Sequence, residues 1–178
     1  MTVQLRGAAT GSLFTAHDAR YQAAKQLTGG TLIDNDGDPS QFSRRTMTAA
    51  GTTSIAGEFF IDLNWRAVAL RWAYCAEAAA EGGIQFQVRY GLVYPLLGQQ
   101  ATGIGLTTIP IAPVQKDMPA GGSAYELPDE TSEILTPPDG FLGTSPVMTY
   151  SIDRLGDDGD DDFDQDIGLF LATITRVD

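Results

Sequence analysis

The segment "GIQFQVRYGLVY", residues 83–94, restricts the fold of this 178-residue chain more than any other stretch. Apolar and polar side chains alternate along it, with Ile84, Phe86, Val88 and Tyr90 on one side and Gln85, Gln87 and Arg89 on the other. A period of two places successive side chains on opposite faces of a β-strand. The segment therefore predicts a strand of an antiparallel sheet with one face buried and the other facing solvent.

The preceding segment, "WRAVALRWAYCAEAAAEGG", is ambiguous between strand and helix. Its alanine content favours a helix, and the glycine pair at its end is a plausible helix stop. Its larger side chains nevertheless recur at every second position from Val68 to Tyr74. Because the next segment alternates in the same way, we predict two strands, 66–76 and 84–94, joined by "EAAAEGG".

Other segments are also strand-like. "IAGEFFIDL" precedes the two strands, and "VMTYSIDRL" and "IGLFLATITRV" lie near the C-terminus. In the last segment, alternation predicts one face made of Leu169, Leu171, Thr173 and Thr175 and another made of Phe170, Ala172, Ile174 and Arg176. Its start is apolar on both faces, which favours a central or inter-sheet strand. Weaker strands are predicted near 107–111, where a proline restricts the strand to an edge or bulge, and near 125–127 and 133–135.

Together these segments predict an all-β fold. About 7–9 short strands separated by turns are typical of an antiparallel β-sandwich or jelly roll. Twenty glycines and nine prolines supply the turns. The chain shows no internal repeat of the length that would indicate a propeller or solenoid.

Residues 1–52 are predicted to differ from the sandwich domain at 53–178. The stretch "TAHDARYQAAKQLTGG" predicts a short helix, capped by Thr15 and ended by glycines. The following stretch is polar and rich in turn residues. Two interpretations stay open for this region: an extended arm that lies on a partner, or an irregular edge of the same domain.

Charge and composition exclude several classes of function. The net charge of −12 makes nucleic acid and anionic membrane surfaces unfavourable partners. A single cysteine allows no disulfide within the chain, and a single histidine excludes zinc sites built from several Cys and His. No segment has the apolar length of a signal peptide or membrane span, which favours folding in a reducing cytosol.

The stretch "DRLGDDGDDDFDQD", residues 153–166, concentrates eight aspartates. It does not fit an EF-hand loop, because neither register with a glycine at position 6 has an acidic residue at position 1. We interpret it as a solvated hairpin connection allowed by Gly156 and Gly159. A looser metal site stays open as the alternative, and its weak candidate ligands are Asp157, Asp160, Asp162 and Asp164.

Nothing in the sequence indicates an enzyme or a cofactor. A nucleophile needs a base beside it, whereas His17 is the sole histidine and Cys75 lies in an apolar strand that favours a buried structural thiol. Neighbouring aspartates share one environment and so lack the separated pKa values of a catalytic pair. Most tryptophans and tyrosines fall at core positions, and Tyr125, in a loop, is the candidate for stacking on a sugar.

The C-terminal pattern resembles small β-sandwich proteins of tailed-bacteriophage structural modules. The resemblance rests on "TYSIDR", then "DDGDDDFDQD", then "IGLFLATITRV", with "IDLNW", "VALRWAY" and "IQFQVRYGLV" similar to their paired central strands, and it covers residues 55–178. In that setting Arg154 begins the turn, and Asp164 and Asp166 close it.

This resemblance implies a non-enzymatic virion component. The first expectation is a capsid decoration or cement protein that stabilises the phage head, is located on the head surface and is assembled in the host cytoplasm. Its partners would be the major capsid protein or other virion proteins, and copies of itself, with a trimer favoured. The alternative is a tail-fibre or receptor-binding module for a host-surface glycan. The candidate partner-binding residues are Arg6, Arg20, Arg44 and Arg45.

Overall fold

The computed structural model describes residues 5–6, 13–14, 19–35, 42–61, 65, 67–78, 80–93, 107–108, 114–118, 131–135 and 147–177. His17, Tyr125 and the strand expected at 125–127 lie outside these residues. The described part contains thirteen β-strands and a short 3-10 turn, Ala24–Gln26. The strands are β1 Leu5–Arg6, β2 Leu13–Phe14, β3 Ala19–Ala23, β4 Thr31–Ile33, β5 Arg44–Met47, β6 Thr52–Phe60, β7 Ala67–Ala76, β8 Gly82–Val93, β9 Thr107–Thr108, β10 Val114–Met118, β11 Thr131–Leu135, β12 Val147–Leu155 and β13 Ile167–Val177.

These strands form two antiparallel sheets and one small ribbon, β1–β2. The five-stranded sheet has the order β10-β8-β12-β6, with β9 also paired to β8. The six-stranded sheet has the order β11-β7-β13-β5-β4, with β3 also paired to β13. The predicted all-β sandwich is therefore confirmed, and β13 is central as expected.

The core lies between the two sheets and follows the period-two pattern of the sequence. Alternate side chains of β8 and β12 point inward, which buries Ile84, Phe86 and Val88 on one strand and Met148 and Ile152 on the other. The tryptophans and tyrosines predicted to be core residues are buried: Trp65, Trp72, Tyr74, Tyr90 and Tyr150. Within the residues described, no helix has the length and apolar character needed to cross a membrane.

The strands β7 and β8, which follow one another in the chain, lie in different sheets. Strands were predicted at 66–76 and 84–94, and β7 and β8 are strands over the described parts of these ranges; β7 belongs to the six-stranded sheet and β8 to the five-stranded one. The expectation that these two strands pair with each other is therefore wrong. The segment "EAAAEGG" connects one sheet to the other. Alternation shows which face of a strand is buried, but it does not show which strand is its neighbour.

The N-terminal segment from Ala19 to Met47 is part of the sandwich. The predicted helix is wrong, because Ala19–Ala23 is strand β3 and pairs with Thr175–Leu171 of β13. β5 pairs with an adjacent part of β13, and β4 pairs with β5. Over these residues strand pairing outweighs local helix propensity.

A β-bulge in β13 breaks the predicted alternation of the last strand. Leu169 pairs with Tyr74 and Leu171 pairs with Ala73, so Phe170 is an extra residue without its own partner on β7. Leu169 and Ala172 are both fully buried in the core. The prediction that Leu169 and Leu171 lie on the same face is therefore wrong, because the bulge turns Phe170 and Leu171 to the same, outer side.

A polar contact joins the two sheets near Gly57. The hydroxyl of Tyr150, on β12, donates a hydrogen bond of 2.7 Å to Oε1 of Gln22, on β3. A Cβ atom added at Gly57 would overlap both the Gln22 oxygen and the Tyr150 hydroxyl. Because glycine has no Cβ, this position leaves room for the hydrogen bond between Gln22 and Tyr150 that joins the two sheets.

We expect Gly57→Ala to lower the free energy of unfolding by about 1–3 kcal/mol, the usual cost of overpacking. The matched control is Gly159→Ala, because a Cβ at Gly159 has no neighbour within 4 Å. Urea denaturation measures both. Equal stability of the two variants would contradict the packing argument.

Tyr150 should also make stability depend on alkaline pH. Burial raises the pKa of its hydroxyl above the ordinary value. Above about pH 10 the unfolded chain loses this proton and the folded chain keeps it, so stability falls by up to about 1.4 kcal/mol per pH unit. In urea titrations between pH 9 and 11, Tyr150→Phe should show a shallower decline than the native chain. An unchanged slope would show that Tyr150 titrates freely when folded.

Candidate functional site

The outer surface of the six-stranded sheet carries a group of exposed and half-buried aromatic side chains. We call this surface the aromatic face and define it by Tyr21, Phe42 and Phe170, together with Arg44 and Glu77. Phe42 is 69% exposed and Tyr21 is 48% exposed, whereas most large apolar side chains of the described residues are buried. Exposed apolar groups gathered on one surface often mark a binding site.

The centre of the aromatic face lies at the bulge in β13. Regular alternation from the buried Leu169 would place Phe170 outward and return Leu171 to the core side. The extra residue instead leaves both Phe170 and Leu171 on the outer side, and the Phe170 ring stacks on that of Phe42 with centroids 5.5 Å apart and planes 21° apart. Tyr21 pairs in register with Thr173, three residues beyond Phe170 on the same strand. The tyrosine therefore lies about 10 Å from the stacked pair along the strand.

An ion pair lies beside the stacked rings. Arg44 donates from Nε and Nη2 to the two carboxylate oxygens of Glu77, at 2.5 and 2.8 Å. The two side chains are only 11% and 16% exposed. A Cβ added at Gly168 would overlap both Arg44 and Glu77, so the glycine on β13 lets the pair lie flat against the sheet.

This combination of groups suits a ligand that is apolar on its faces and polar around its rim. Stacked rings bind C–H surfaces by dispersion and by exclusion of water. A fixed ion pair beside them offers hydrogen-bond donors and acceptors at little cost in side-chain entropy.

The predicted partner-binding arginines make contacts within the chain. Arg44 lies in the aromatic face. The guanidinium of Arg20 lies 5.5 Å from the ring centroid of Trp65. Arg45 donates to the carbonyl oxygens of Ala24 and Gly29, at 2.8 Å each. Arg6 lies in β1, and its side chain falls outside the described set. None of these contacts tests the prediction of an external partner.

Cys75 is buried on β7, as the sequence indicated. Its thiol donates to the carbonyl of Gly168 at 3.6 Å. Burial raises the pKa of this thiol, which keeps it protonated and unreactive at neutral pH. A structural role is therefore the one that its surroundings support.

The Asp-rich segment is a crossing between the two sheets and not the hairpin that the sequence suggested. β12 lies in the five-stranded sheet and β13 in the six-stranded sheet, and the two do not pair. Inside the crossing, Arg154 donates to both carboxylate oxygens of Asp161, at 3.0 and 2.8 Å. Both side chains are fully buried. The same guanidinium donates to the carbonyls of Phe163 and Gln165.

Several aspartates of this crossing accept hydrogen bonds from backbone amides of other turns. Asp157 accepts from the amide of Gly51, and Asp166 accepts from the amide of Ala49. Asp162 accepts from the amide of Gly83 at 2.5 Å. These carboxylates therefore connect the crossing to neighbouring turns and to the start of β8, while Asp157 and Asp162 remain exposed, as expected of a solvated loop.

The four weak metal candidates do not share one site. Asp157 and Asp162 bind amides of two different turns. Asp160 is exposed, and Asp164 accepts from the side chain of Gln165. Within the described ranges, no three or more His, Cys, Asp or Glu side chains are grouped as metal ligands.

No protein-family model and no curated protein matches the chain. Solved structures do match it by fold. Part of the isomalto-dextranase of Arthrobacter globiformis T6, complexed with panose, matches at TM-score 0.55 and 14% identity, over 89% of this chain and 23% of that one. The chain thus spans less than a quarter of that enzyme.

Two isolated binding domains match at lower TM-scores. The CBM36-1 domain of a multidomain xylanase from the hindgut metagenome of Trinervitermes trinervoides gives 0.44 at 11% identity, over 90% of this chain and 99% of that one. The CBM22-1 xylan-binding domain of Paenibacillus barcinonensis Xyn10C gives 0.42 at 9% identity, over 99% and 93%. At these identities the likenesses concern the fold.

The buried pair in the crossing yields a stability prediction. Asp161→Ala leaves the Arg154 charge buried without its carboxylate, so we expect a loss of about 3–5 kcal/mol in the free energy of unfolding. Asp160→Ala is the matched control, because its exposed side chain should contribute less than about 0.5 kcal/mol. Urea denaturation compares the two. A similar small loss for both would mean that the crossing is not organised by Arg154.

Proposed function

We propose that this chain is a non-enzymatic carbohydrate-binding β-sandwich module that binds a neutral glycan on the aromatic face. The observation that carries the proposal is the stacking of the exposed Phe42 on the half-buried Phe170, beside the fixed ion pair of Arg44 and Glu77. Sugar rings present C–H groups on their faces and hydroxyls on their edges. The aromatic face offers a matching surface for each.

The charge of the chain favours neutral sugars. With a net charge of −12, the protein repels polyanions such as acidic polysaccharides at moderate ionic strength. Neutral glycans are not repelled by this charge. The aromatic rings then supply most of the binding free energy, since a few buried aromatic side chains usually dominate an interface.

The fold is consistent with this proposal. The isomalto-dextranase that shares the fold is complexed with panose, a sugar. A sandwich of this kind is therefore found in a protein that handles glycans. The tail-fibre or receptor-binding alternative suggested by the sequence also requires glycan binding, and the aromatic face would serve it.

The expectation of a capsid decoration protein remains a separate prediction, based on the sequence resemblance. It requires a protein partner on the phage head and does not require a sugar. Under that hypothesis the aromatic face would be covered by another protein chain. Glycan binding by the isolated chain therefore separates the two functions.

We expect Phe170→Ala to weaken glycan binding about tenfold or more, which corresponds to about 1.4 kcal/mol. Affinity gel electrophoresis with soluble dextran and xylan measures retardation of the native and variant chains. Leu32→Ala is the control, because Leu32 is also exposed and apolar but lies on β4. If neither polysaccharide retards the native chain, or if Phe170→Ala binds as well as the native chain, the aromatic face is not the binding site.

A further inference from the structure

We propose that the outer face of the five-stranded sheet is a second glycan-binding surface, in which Arg89 donates hydrogen bonds to adjacent hydroxyl oxygens of a neutral sugar. This inference rests on the proposed function, because it assigns a second site to the same class of ligand. The two sites lie on opposite sides of the sandwich and can be tested separately.

The polar network around Arg89 spans three neighbouring strands. Arg89, on β8, donates from Nε and Nη2 to the two oxygens of Asp153, on β12, at 2.6 and 3.0 Å. Ser151 donates to the same carboxylate at 2.5 Å. Arg89 Nη2 also lies 3.4 Å from the hydroxyl of Ser54, on β6. These residues alternate with core residues, so they belong to the outer face.

The network fixes the guanidinium and leaves part of it accessible. The Asp153 side chain is 2% exposed, whereas the Arg89 side chain is 34% exposed. Asp153 occupies the edge formed by Nε and Nη2. Among the described residues, the hydrogen bonds of Arg89 use Nε and Nη2, so the two N–H groups of Nη1 stay available to a ligand. A donor held in this way binds a ligand oxygen without a further loss of rotamer entropy.

The charges of this face select a neutral ligand. Asp153 compensates the charge of Arg89 and raises the pKa of the guanidinium, which stays protonated at all physiological pH values. Glu58 is exposed on the same face, and the whole chain is acidic. A carboxylate or phosphate would meet this negative field, whereas a pair of sugar hydroxyls accepts the two outward N–H groups without a charge penalty.

An exposed ring extends the surface along the same face. Phe60 is 66% exposed and pairs in register with Val147, whereas Arg89 pairs with Ser151. The two positions are offset by four residues along β12, about 13 Å, and lie on the strands to either side of it, about 10 Å apart, so about 16 Å separates them. Phe60 therefore offers a stacking ring within the reach of an oligosaccharide whose other end contacts Arg89.

Two faces on opposite sheets imply two independent sites. Packed sheets are separated by about 10 Å, with the core between them. A short oligosaccharide cannot contact both outer faces at once. A branched or particulate glycan can occupy both, which would increase the overall affinity without any new contact.

Isothermal titration of the full chain with panose and with xylohexaose, two neutral oligosaccharides, tests the inference. We expect the native chain to bind two equivalents of at least one of them. Arg89→Lys keeps the charge opposite Asp153 but removes the paired N–H groups, so it should weaken one of the two sites about tenfold. Phe60→Ala should weaken the same site, and Phe170→Ala the other.

Arg176→Lys is the matched control, because Arg176 lies at the end of β13 in the other sheet. Near-ultraviolet circular dichroism checks that each variant is folded. A single native site that depends on Phe170 and not on Arg89 or Phe60 overturns the second surface and keeps the proposed function. A single site that depends on Arg89 overturns the aromatic face instead. No binding of either sugar overturns both.

Discussion

The buried guanidinium of Arg154 determines how the two sheets are joined. It lies at the end of β12, on the core side, and has its charge compensated by Asp161. Two backbone carbonyls of the crossing complete its hydrogen bonds. A buried charge is tolerated only when such partners are present, so the path of the chain from β12 to β13 is closely restricted. That path places β13 at the centre of the six-stranded sheet.

The aspartates around Arg154 connect this crossing to the rest of the molecule. Asp157 and Asp166 bind the turn at Ala49–Gly51, and Asp162 binds the start of β8. The backbone amide of Glu77 donates to the carbonyl of Asp166, which brings the end of β7 to the same place. The aspartates of the crossing, which the sequence predicts to be a solvated run, are thus partly internal hydrogen-bond acceptors. The proposed glycan-binding surfaces lie elsewhere, on the outer faces of the sheets.

Much of the fold follows from local pattern, because alternation directly records which face of a strand is buried. It identified β7, β8, β12 and β13 and most of the core. It could not identify strand partners, and the alanine-rich stretch at 19–26 carried a helix signal that pairing with β13 overrode. The candidate site was harder to predict. Phe170 was placed opposite Leu171 because one extra residue in β13 leaves no mark in composition or charge. Arg44 was selected for its charge, and its position beside exposed rings required the three-dimensional register.

The bulge at Phe170 makes the aromatic face depend on the number of residues in β13 and not only on their identity. A strand one residue shorter would keep the same pairing with β7 on both sides of the bulge and the same core. It would present one apolar side chain fewer at the centre of its outer face. In this fold, insertion or deletion of a single residue can therefore add or remove a recognition surface while the hydrophobic interior stays as it is, a route to new specificity that substitutions alone do not offer.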